Sequence, residues 1–174
     1  MPSLIYDVAV SLDGYIAGPK GDISRFPMEG PHAEAYAQRL ADYTAVIMGK
    51  NTYEFGYAYG LPAGARAYPH MEHLICSSSI ELPESSNVSV ARSGWLAALD
   101  ALMAHHASVY LCGGGMLAGF LLANGRIAEL RLKRVPIVLG QGTPLFAGRA
   151  EAKASLLSVE PYENGVVYQH YRIG

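Results

Sequence analysis

The sequence predicts an α/β protein with a mostly parallel sheet, helices on both of its faces, and an antiparallel hairpin at one edge. Apolar segments typical of strands alternate with helical segments along most of the chain, and such alternation is typical of parallel sheets. The last two strand-like segments are joined by Asn164-Gly165, which indicates a hairpin because both residues tolerate positive φ. Hydrophobic residues make up 51% of the 174 positions, which is enough to fill a core.

Each element in the first half of the chain has a local signal. Residues 3–11 are mostly apolar and are predicted to form a buried strand, followed by a glycine-rich loop. Pro31 suits the first position of a helix, which we predict to end at Asp42. The other predicted elements are strands at 44–48, 73–76 and 87–91, a short helix at 52–58 and a loop over 59–70.

The second half continues the alternation. Apolar residues at helical spacing predict a helix over 94–105, and a buried strand at 108–112 precedes a second helix over 116–123. Charged residues alternate with Leu130 and Leu132, so we predict a strand over 129–135 with one wet face. The hairpin strands are predicted at 153–160 and 165–173. No repeat or linker interrupts the chain, which indicates a single domain over residues 1–174.

Composition excludes several classes of function. Lys and Arg total 13 against 15 Asp and Glu, so the chain has no electrostatic reason to bind nucleic acid or an anionic membrane. Residues 1–7 lack the basic start of a signal peptide, and no segment is long and apolar enough for a membrane span, so we expect a cytoplasmic protein. Cys76 and Cys112 are too few for a zinc site, and we expect reduced thiols and no metal.

The strongest motif is a buried strand that leads into Gly113, Gly114 and Gly115 and then directly into a helix. Glycines let a backbone approach a phosphate closely, and the following helix start offers free N–H groups and the positive end of a dipole. The segment therefore predicts a pyrophosphate site. A tight strand-to-helix turn without a ligand is the alternative.

Two further strand ends carry polar residues. Gly49, Lys50 and Thr52 follow the strand at 44–48, and Lys50 could pair with a phosphate or lie free in solvent. Ser77 and Ser78 follow the strand at 73–76, and their hydroxyls could hold a phosphate or belong to an ordinary turn. In parallel sheets ligands bind at the carboxyl ends of strands, so these three segments are expected to act together.

Five segments in order resemble the dihydrofolate-reductase superfamily, and in particular the reductase domain of the riboflavin-biosynthesis deaminase–reductase. They are S-x-D-G-x-I-A at 11–17, M-G-K-x-T-Y-E at 48–54, G-G-G-x-L-x-x-x-L-L at 113–122, E-L-x-L at 129–132 and P-x-V-L-G-x-G-x-P-L-F at 136–146. The resemblance implies a three-layer α/β/α dihydrofolate-reductase-like fold.

The resemblance also implies NADPH as cofactor and assigns the residues that bind it. Its pyrophosphate would lie on Gly113, Gly114, Gly115, Met116 and Leu117, its adenosine end and phosphates near Gly49, Lys50 and Thr52, its 2′-phosphate near Ser77 and Ser78, and its nicotinamide beside Ala9 and Ile16.

The reaction implied is hydride transfer to a small heterocycle that is either pterin-like or ribosylaminouracil-like. Asp13 would lie at the mouth of the substrate cleft, and Glu34 on the first helix is the candidate proton donor, with an ordinary exposed acid as the alternative for Glu34. A nucleotide-binding module without turnover, a sensor or a relic, is the second hypothesis. Relatives pair into homodimers, and the resemblance implies the same here.

Overall fold

The structure, a computed structural model, describes all residues from 1 to 174. Its strands are β1 (Ser3–Val10), β2 (Tyr15–Ala17), β3 (Ala45–Gly49), β4 (Glu72–Cys76), β5 (Ser89–Ala91), β6 (Ser108–Gly113), β7 (Glu129–Arg134), β8 (Thr143–Pro144), β9 (Ala154–Pro161) and β10 (Val167–Ile173). Its helices are α1 (Pro31–Asp42), α2 (Lys50–Phe55), α3 (Trp95–Met103) and α4 (Gly115–Ala123). None of these helices combines the length and apolarity that crossing a membrane requires.

One sheet organises the molecule. Its eight strands have the order β5-β4-β3-β6-β1-β7-β10-β9. The first six are parallel to one another, whereas β10 runs antiparallel to both β7 and β9. This confirms the predicted mostly parallel sheet with an antiparallel hairpin at one edge.

The helices cover both faces of the sheet and form three layers. On one face α3 and α4 pack their leucines against Leu4, Tyr6 and Leu111 in the largest apolar cluster. On the other face α1 and α2 pack against a second cluster that includes Ile5 and Tyr110. Successive residues of β1 and β6 thus serve opposite layers, as the two-residue period of a strand requires.

Three local features differ from the prediction. The helix predicted at 52–58 begins at Lys50 and gives way to a 3-10 turn at Gly56–Tyr59. In the hairpin only Gly165 adopts positive φ, and β10 begins at Val167 because residues 162–166 form the turn. The short strands β2 and β8 pair in a separate two-stranded sheet, which was not predicted because strands of three and two residues carry no periodic signal.

The prediction of a wet face for the strand at 129–135 was wrong. Glu129 and Arg131 are half-buried and Lys133 is buried, and all three lie on the face of β7 that turns toward Asp7. Helix α1 covers this face, and the charges pair with one another instead of with water. Alternation of charge along a strand cannot distinguish solvent from a buried cluster of ion pairs.

Leu111→Ala tests the central core. Leu111 is fully buried, so we expect the free energy of unfolding to fall by about 2–5 kcal/mol, as for other truncated core leucines. Chemical denaturation measures it. Val138→Ala is the control, because Val138 is 60% exposed and such changes usually stay within about 0.5 kcal/mol. Equal losses in both variants would contradict the assigned core.

Candidate functional site

The ends of three adjacent strands, β4, β3 and β6, form one groove at the carboxyl edge of the sheet. Met48 pairs with Gly113 across β3 and β6, and Gly49 pairs with Cys76 across β3 and β4. Because parallel strands end on the same side, the segments that follow them begin next to each other. We call this region, from the glycine turn to the serines at 77–79, the groove.

The glycine turn presents unpaired backbone donors to this groove. Gly113 has φ of 122°, a conformation that favours glycine, and α4 begins two residues later. The first amide of this turn to bond within the helix is that of Ala118, which donates to Gly114 at 2.9 Å. The N–H groups of Gly115, Met116 and Leu117 have no acceptor in the protein, as is usual at a helix start. The turn therefore offers a ready-made anion site.

Glycine is also required here by space. A Cβ on Gly114 would lie 3.4 Å from the hydroxyl of Thr52, so a side chain would fill the space between the turn and α2. A Cβ on Gly115 would collide with the carbonyl of Pro144. The side chains of Met116 and Leu117 take no part in the turn. Met116 is 82% exposed, and Leu117 is buried in the core, so that only its backbone is available to a ligand. The cradle fits a phosphate group.

The Lys50 segment and the serines form the other end of the groove. Lys50 Nζ donates to the hydroxyl of Ser79 at 3.4 Å, which joins the segments after β3 and β4. The hydroxyl of Ser77 is buried and accepts the N–H groups of Ser79 and Ile80, so it stabilises its own turn. Ser78 is exposed, and its hydroxyl has no partner. Of the predicted pair, Ser78 is therefore the serine that is free to bind a phosphate.

A cleft next to the serine end of the groove was not predicted from the sequence. It has a volume of about 500 Å³ and is lined by Arg92, Trp95 and Phe120 among others. Arg92 directly follows β5, whose last residue Ala91 accepts the N–H of Ser77, so its backbone lies next to the serine end of the groove. The position of Arg92 directly after a strand end could have identified it from the sequence as a residue of the site. The Trp95–Phe120 pair was not predictable, because it joins two helices with ring centroids 5.7 Å apart.

The end of β1 and the loop after it lie at the opposite end of the site. Ala9 and Ile16, predicted to border the nicotinamide, are both half-buried: Ala9 contacts the small cluster around Val135, and Ile16 packs against the main core. They lie on different strands, β1 and β2, and pack against different apolar clusters.

Asp13 binds the two loops of this end to each other. Its carboxylate accepts the hydroxyl of Ser11 at 2.6 Å and the N–H groups of Leu139 and Gly140 at 3.1 and 2.7 Å. The Ser11 bond, with help from these two amides, lowers the pKa of Asp13 to about 2. Asp13 is therefore ionised at neutral pH, where it positions the 139–140 segment and holds no proton to donate.

Glu34 does not join Asp13. It is exposed in the first turn of α1 and makes no hydrogen bond or ion pair. The side chains of α1 that turn toward the sheet or its loops are His32, Tyr36 and Arg39, and at about 100° per residue Glu34 lies on the other side of the helix. The structure leaves Glu34 outside the groove.

The acid that lies on the face of the sheet covered by α1 is Asp7, at the centre of a buried charged cluster. Its carboxylate accepts Arg39 Nε at 2.7 Å, Lys133 Nζ at 3.1 Å and the hydroxyl of Tyr43 at 3.3 Å. Burial alone would raise the pKa of Asp7, but Lys133 and Arg39 outweigh it and the pKa is lowered. A charged residue in an otherwise apolar strand was the signal in the sequence for this cluster.

Lys133 responds to the same surroundings in the opposite sense. Burial lowers its pKa to about 8, because the nearby Asp7 only partly offsets the loss of hydration and Arg39 repels it. We call Asp7, Arg39, Tyr36, Tyr43 and Lys133 the charged cluster. The charged cluster lies on the α1 face of the sheet. Its Lys133 is close to Cys112, the residue that precedes the glycine turn.

Comparison with known proteins supports the fold. The Bacillus subtilis (strain 168) protein YwjB is 27% identical over 143 residues, 80% of this chain and 79% of the relative. A Shewanella sp. PV-4 protein assigned to riboflavin biosynthesis superposes with a TM-score of 0.83 at 21% identity, over 100% of this chain and 99% of that one.

Two further structures show the same architecture. Dihydrofolate reductase from Enterococcus faecalis, complexed with NADP(H), matches 99% of this chain and 96% of its own with a TM-score of 0.72 at 16% identity. The Thermotoga maritima deaminase/5-amino-6-(5-phosphoribosylamino)uracil reductase matches 99% of this chain and 57% of its own with a TM-score of 0.70, also at 16% identity.

These likenesses confirm the dihydrofolate-reductase-like fold, and the family follows from the sequence itself. The RibD C-terminal domain matches residues 2–168, nearly the whole chain. The five motifs and the glycine turn lie within that match. The protein is thus a member of the RibD C-terminal domain family.

Proposed function

We propose that this protein is an NADPH-dependent reductase that transfers hydride to a small heterocyclic substrate. The observation that carries the proposal is the convergence of three strand ends on one groove, with free amides at one end and cationic and hydroxyl groups at the other. Solved neighbours include a uracil reductase and a dihydrofolate reductase with NADP(H), which supports a pyrimidine or pterin substrate. A reductase of this kind would work in the cytoplasm, which holds a large NADPH pool.

Each part of the groove has a part of the cofactor to bind. The free N–H groups of Gly115, Met116 and Leu117, with the hydroxyl of Thr52, would hold the pyrophosphate. Lys50 and Arg92 would bind the 2′-phosphate together with Ser78 and Ser79, and the adenine would enter the cleft that Trp95 and Phe120 line.

The nicotinamide end would lie beside Ala9 and Ile16. When bound, NADPH would supply the hydride, and the protein would supply alignment and a proton. Asp13 acts indirectly, because its ionised carboxylate fixes the 139–140 segment that borders the substrate side.

Lys50→Glu tests the 2′-phosphate site. We expect the dissociation constant of NADPH to rise about tenfold or more, since a charge-assisted hydrogen bond is worth about 1.5–3 kcal/mol, while that of NADH changes little. Fluorescence titration with both nucleotides measures the difference. Lys153→Glu is the control, because Lys153 is exposed on another part of the surface. Equal losses for NADPH and NADH would refute the assignment of Lys50.

Turnover separates the reductase from the alternative, a nucleotide-binding module without activity. We expect NADPH to raise the melting temperature, because a ligand that binds only the native state stabilises it. We also expect NADPH oxidation, followed at 340 nm, with a member of a panel of pterins, uracil derivatives and quinones. Stabilisation without oxidation of any of them would favour the binding module, and absence of stabilisation at millimolar NADPH would contradict both hypotheses.

We also propose a homodimer, formed through β9. Every residue of this edge strand is exposed, including Leu156 at 54%, Leu157 at 43% and Val159 at 49%. β9 pairs only with β10, and no helix covers it. A long, exposed edge strand with apolar residues on both faces is normally protected in soluble proteins, and a second copy would supply that protection.

Val159→Lys tests this interface. We expect the mass from light scattering at micromolar concentration to fall from that of two chains to that of one, because a lysine would be buried without a partner. Val138→Lys, at a valine that is 60% exposed elsewhere on the surface, should remain dimeric. A monomeric natural protein, or a dimer unaffected by Val159→Lys, would disprove the role of β9.

A further inference from the structure

We propose that His32 is a positioning residue. It fastens the start of α1 to the hairpin turn between β9 and β10 while its ring is neutral, and it releases that turn when the ring takes a proton. The inference goes beyond the proposed reaction, because the contact lies outside the groove. Its consequence for activity rests on the proposed reductase function, since the segments that it holds together border the proposed substrate side.

Both ring nitrogens of His32 have partners, although the residue is only 4% exposed. Nε2 lies 3.0 Å from the carbonyl oxygen of Pro27, and Nδ1 lies 3.0 Å from the side-chain nitrogen of Asn164. A carbonyl oxygen can only accept, so Nε2 must carry the hydrogen of the first bond. Nδ1 then accepts a hydrogen from the amide of Asn164, and the two bonds together require a neutral imidazole.

The backbone fixes the orientation of the Asn164 amide. Its Oδ1 accepts the N–H of Val166 at 3.2 Å, and Val166 is fully buried with no backbone acceptor for that N–H. A protonated His32 would point a second N–H at the NH2 group of Asn164. Turning the amide over would relieve this conflict but would leave the buried N–H of Val166 without a partner. Protonation of His32 therefore costs one hydrogen bond in either arrangement.

The place of His32 in α1 also disfavours a charged ring. It is the second residue of the helix, where the end of the helix dipole is positive and repels a cation. A Cβ on Gly30 would lie 3.5 Å from both Nδ1 of His32 and Nδ2 of Asn164, so the turn before α1 packs against their bond. The ring of Tyr162 meets that of His32 edge-on, with centroids 6.2 Å apart.

No carboxylate compensates for a charge on His32, whose ring hydrogen-bonds only Pro27 and Asn164. The titratable groups of the surrounding elements are Glu29 in the preceding loop, Glu34, Tyr36 and Arg39 in α1, and Tyr162 and Glu163 in the hairpin turn. The three glutamates are exposed, and Arg39 adds a positive charge on the same side of α1 as His32. The geometry thus accommodates only the neutral ring.

The contact joins segments that reach the proposed substrate side. Val166, two residues after Asn164, packs in the small apolar cluster with Ala9 and Leu139. The N–H of Leu139 is one of the two that the carboxylate of Asp13 accepts, at 3.1 Å. Release of Asn164 would loosen the hairpin turn against this cluster, and with it the segment that Asp13 positions.

Asn164→Asp tests the contact through the pH dependence of stability. Its carboxylate can accept both the N–H of Val166 and that of a charged His32, and Asp-Gly suits the turn as well as Asn-Gly does. In the natural protein the native state resists a proton that the unfolded chain accepts, so stability falls as the pH falls.

Melting temperatures at about pH 7.5 and about pH 5.5 bracket the range in which an ordinary histidine becomes charged. We expect the loss of melting temperature on acidification to be about 3–6 °C smaller in Asn164→Asp than in the natural protein, the value of one hydrogen bond in a chain of this size. Other groups, such as His73, whose burial lowers its pKa, titrate in both proteins, so the difference between them belongs to His32.

Three further variants separate His32 from its surroundings. His32→Gln keeps an amide that can donate to Pro27 and accept from Asn164 but takes no proton, so it should also lose the extra sensitivity to acid. His105→Gln, at an exposed histidine, and Glu163→Gln, which changes the charge of the same turn, should respond to pH as the natural protein does. An unchanged response in Asn164→Asp would overturn the inference, and so would an equal change in Glu163→Gln.

Hydrogen exchange measures whether the contact reaches the substrate side. We expect Asn164→Ala to raise the exchange rate of the amides at 137–140 by about tenfold, because one hydrogen bond that restrains them indirectly is lost. The amides at 108–111, in the central strand β6, should be unaffected. Unchanged exchange at 137–140 would refute the positioning role.

The consequence for activity is measured with the panel substrate that oxidises NADPH. We expect its kcat/KM to fall about fivefold or more further on acidification in the natural protein than in Asn164→Asp, a coupling of ordinary size between two sites. If NADPH neither stabilises the protein nor is oxidised, the reductase assignment fails, and melting and exchange still decide the role of His32. If NADPH is oxidised but Asn164→Asp behaves as the natural protein does, only the role of His32 fails.

Discussion

The position of β6 between β1 and β3 determines where every part of the candidate site lies. Val109 and Leu111 are buried toward α3 and α4, while Tyr110 is buried toward α1, so the strand has no wet face. A slip of one residue would exchange these two sets of side chains between layers of different shape. The register is therefore strongly specified, and with it the position of Gly113 beside the ends of β3 and β4.

The two faces of the sheet have different chemistry. The face under α3 and α4 is apolar and supports a groove made of backbone amides and surface side chains, which suits a phosphorylated cofactor. The face under α1 contains the charged cluster, in which buried cations are retained because Asp7 and Glu129 pair with them. Buried charges without such partners would be prohibitively costly, and removal of one partner is expected to be more damaging than a surface change of equal size.

Neighbouring structures with the same architecture include a uracil reductase and a dihydrofolate reductase, so the scaffold alone does not choose the ring. In this chain the carboxylate of Asp7 already accepts donors from Arg39, Tyr43 and Lys133.

Much of the architecture was determined by the sequence itself. Period-two and helical patterns located the long elements within a few residues, and they also located the strand–glycine–helix segment at 108–123, because local backbone chemistry suffices for both. The sequence did not predict the short strands, the 3-10 turn after α2 or the first residue of β10. These features depend on strand pairing and turn geometry, which leave no periodic signal in the sequence.

Only the tertiary structure determined which side chains lie close to one another. The residues Arg92, Trp95 and Phe120 lie on separate elements, and Asp7 and Lys133 are 126 positions apart, so their contacts follow from strand order and helix packing. For the same reason Glu34, the acid predicted from its position along the chain, lies on the outer side of α1. Lys133, predicted to lie on a wet face, is buried under α1. A sequence records which groups are present, but burial and distance, which set their charge and reactivity, exist only once the chain has folded.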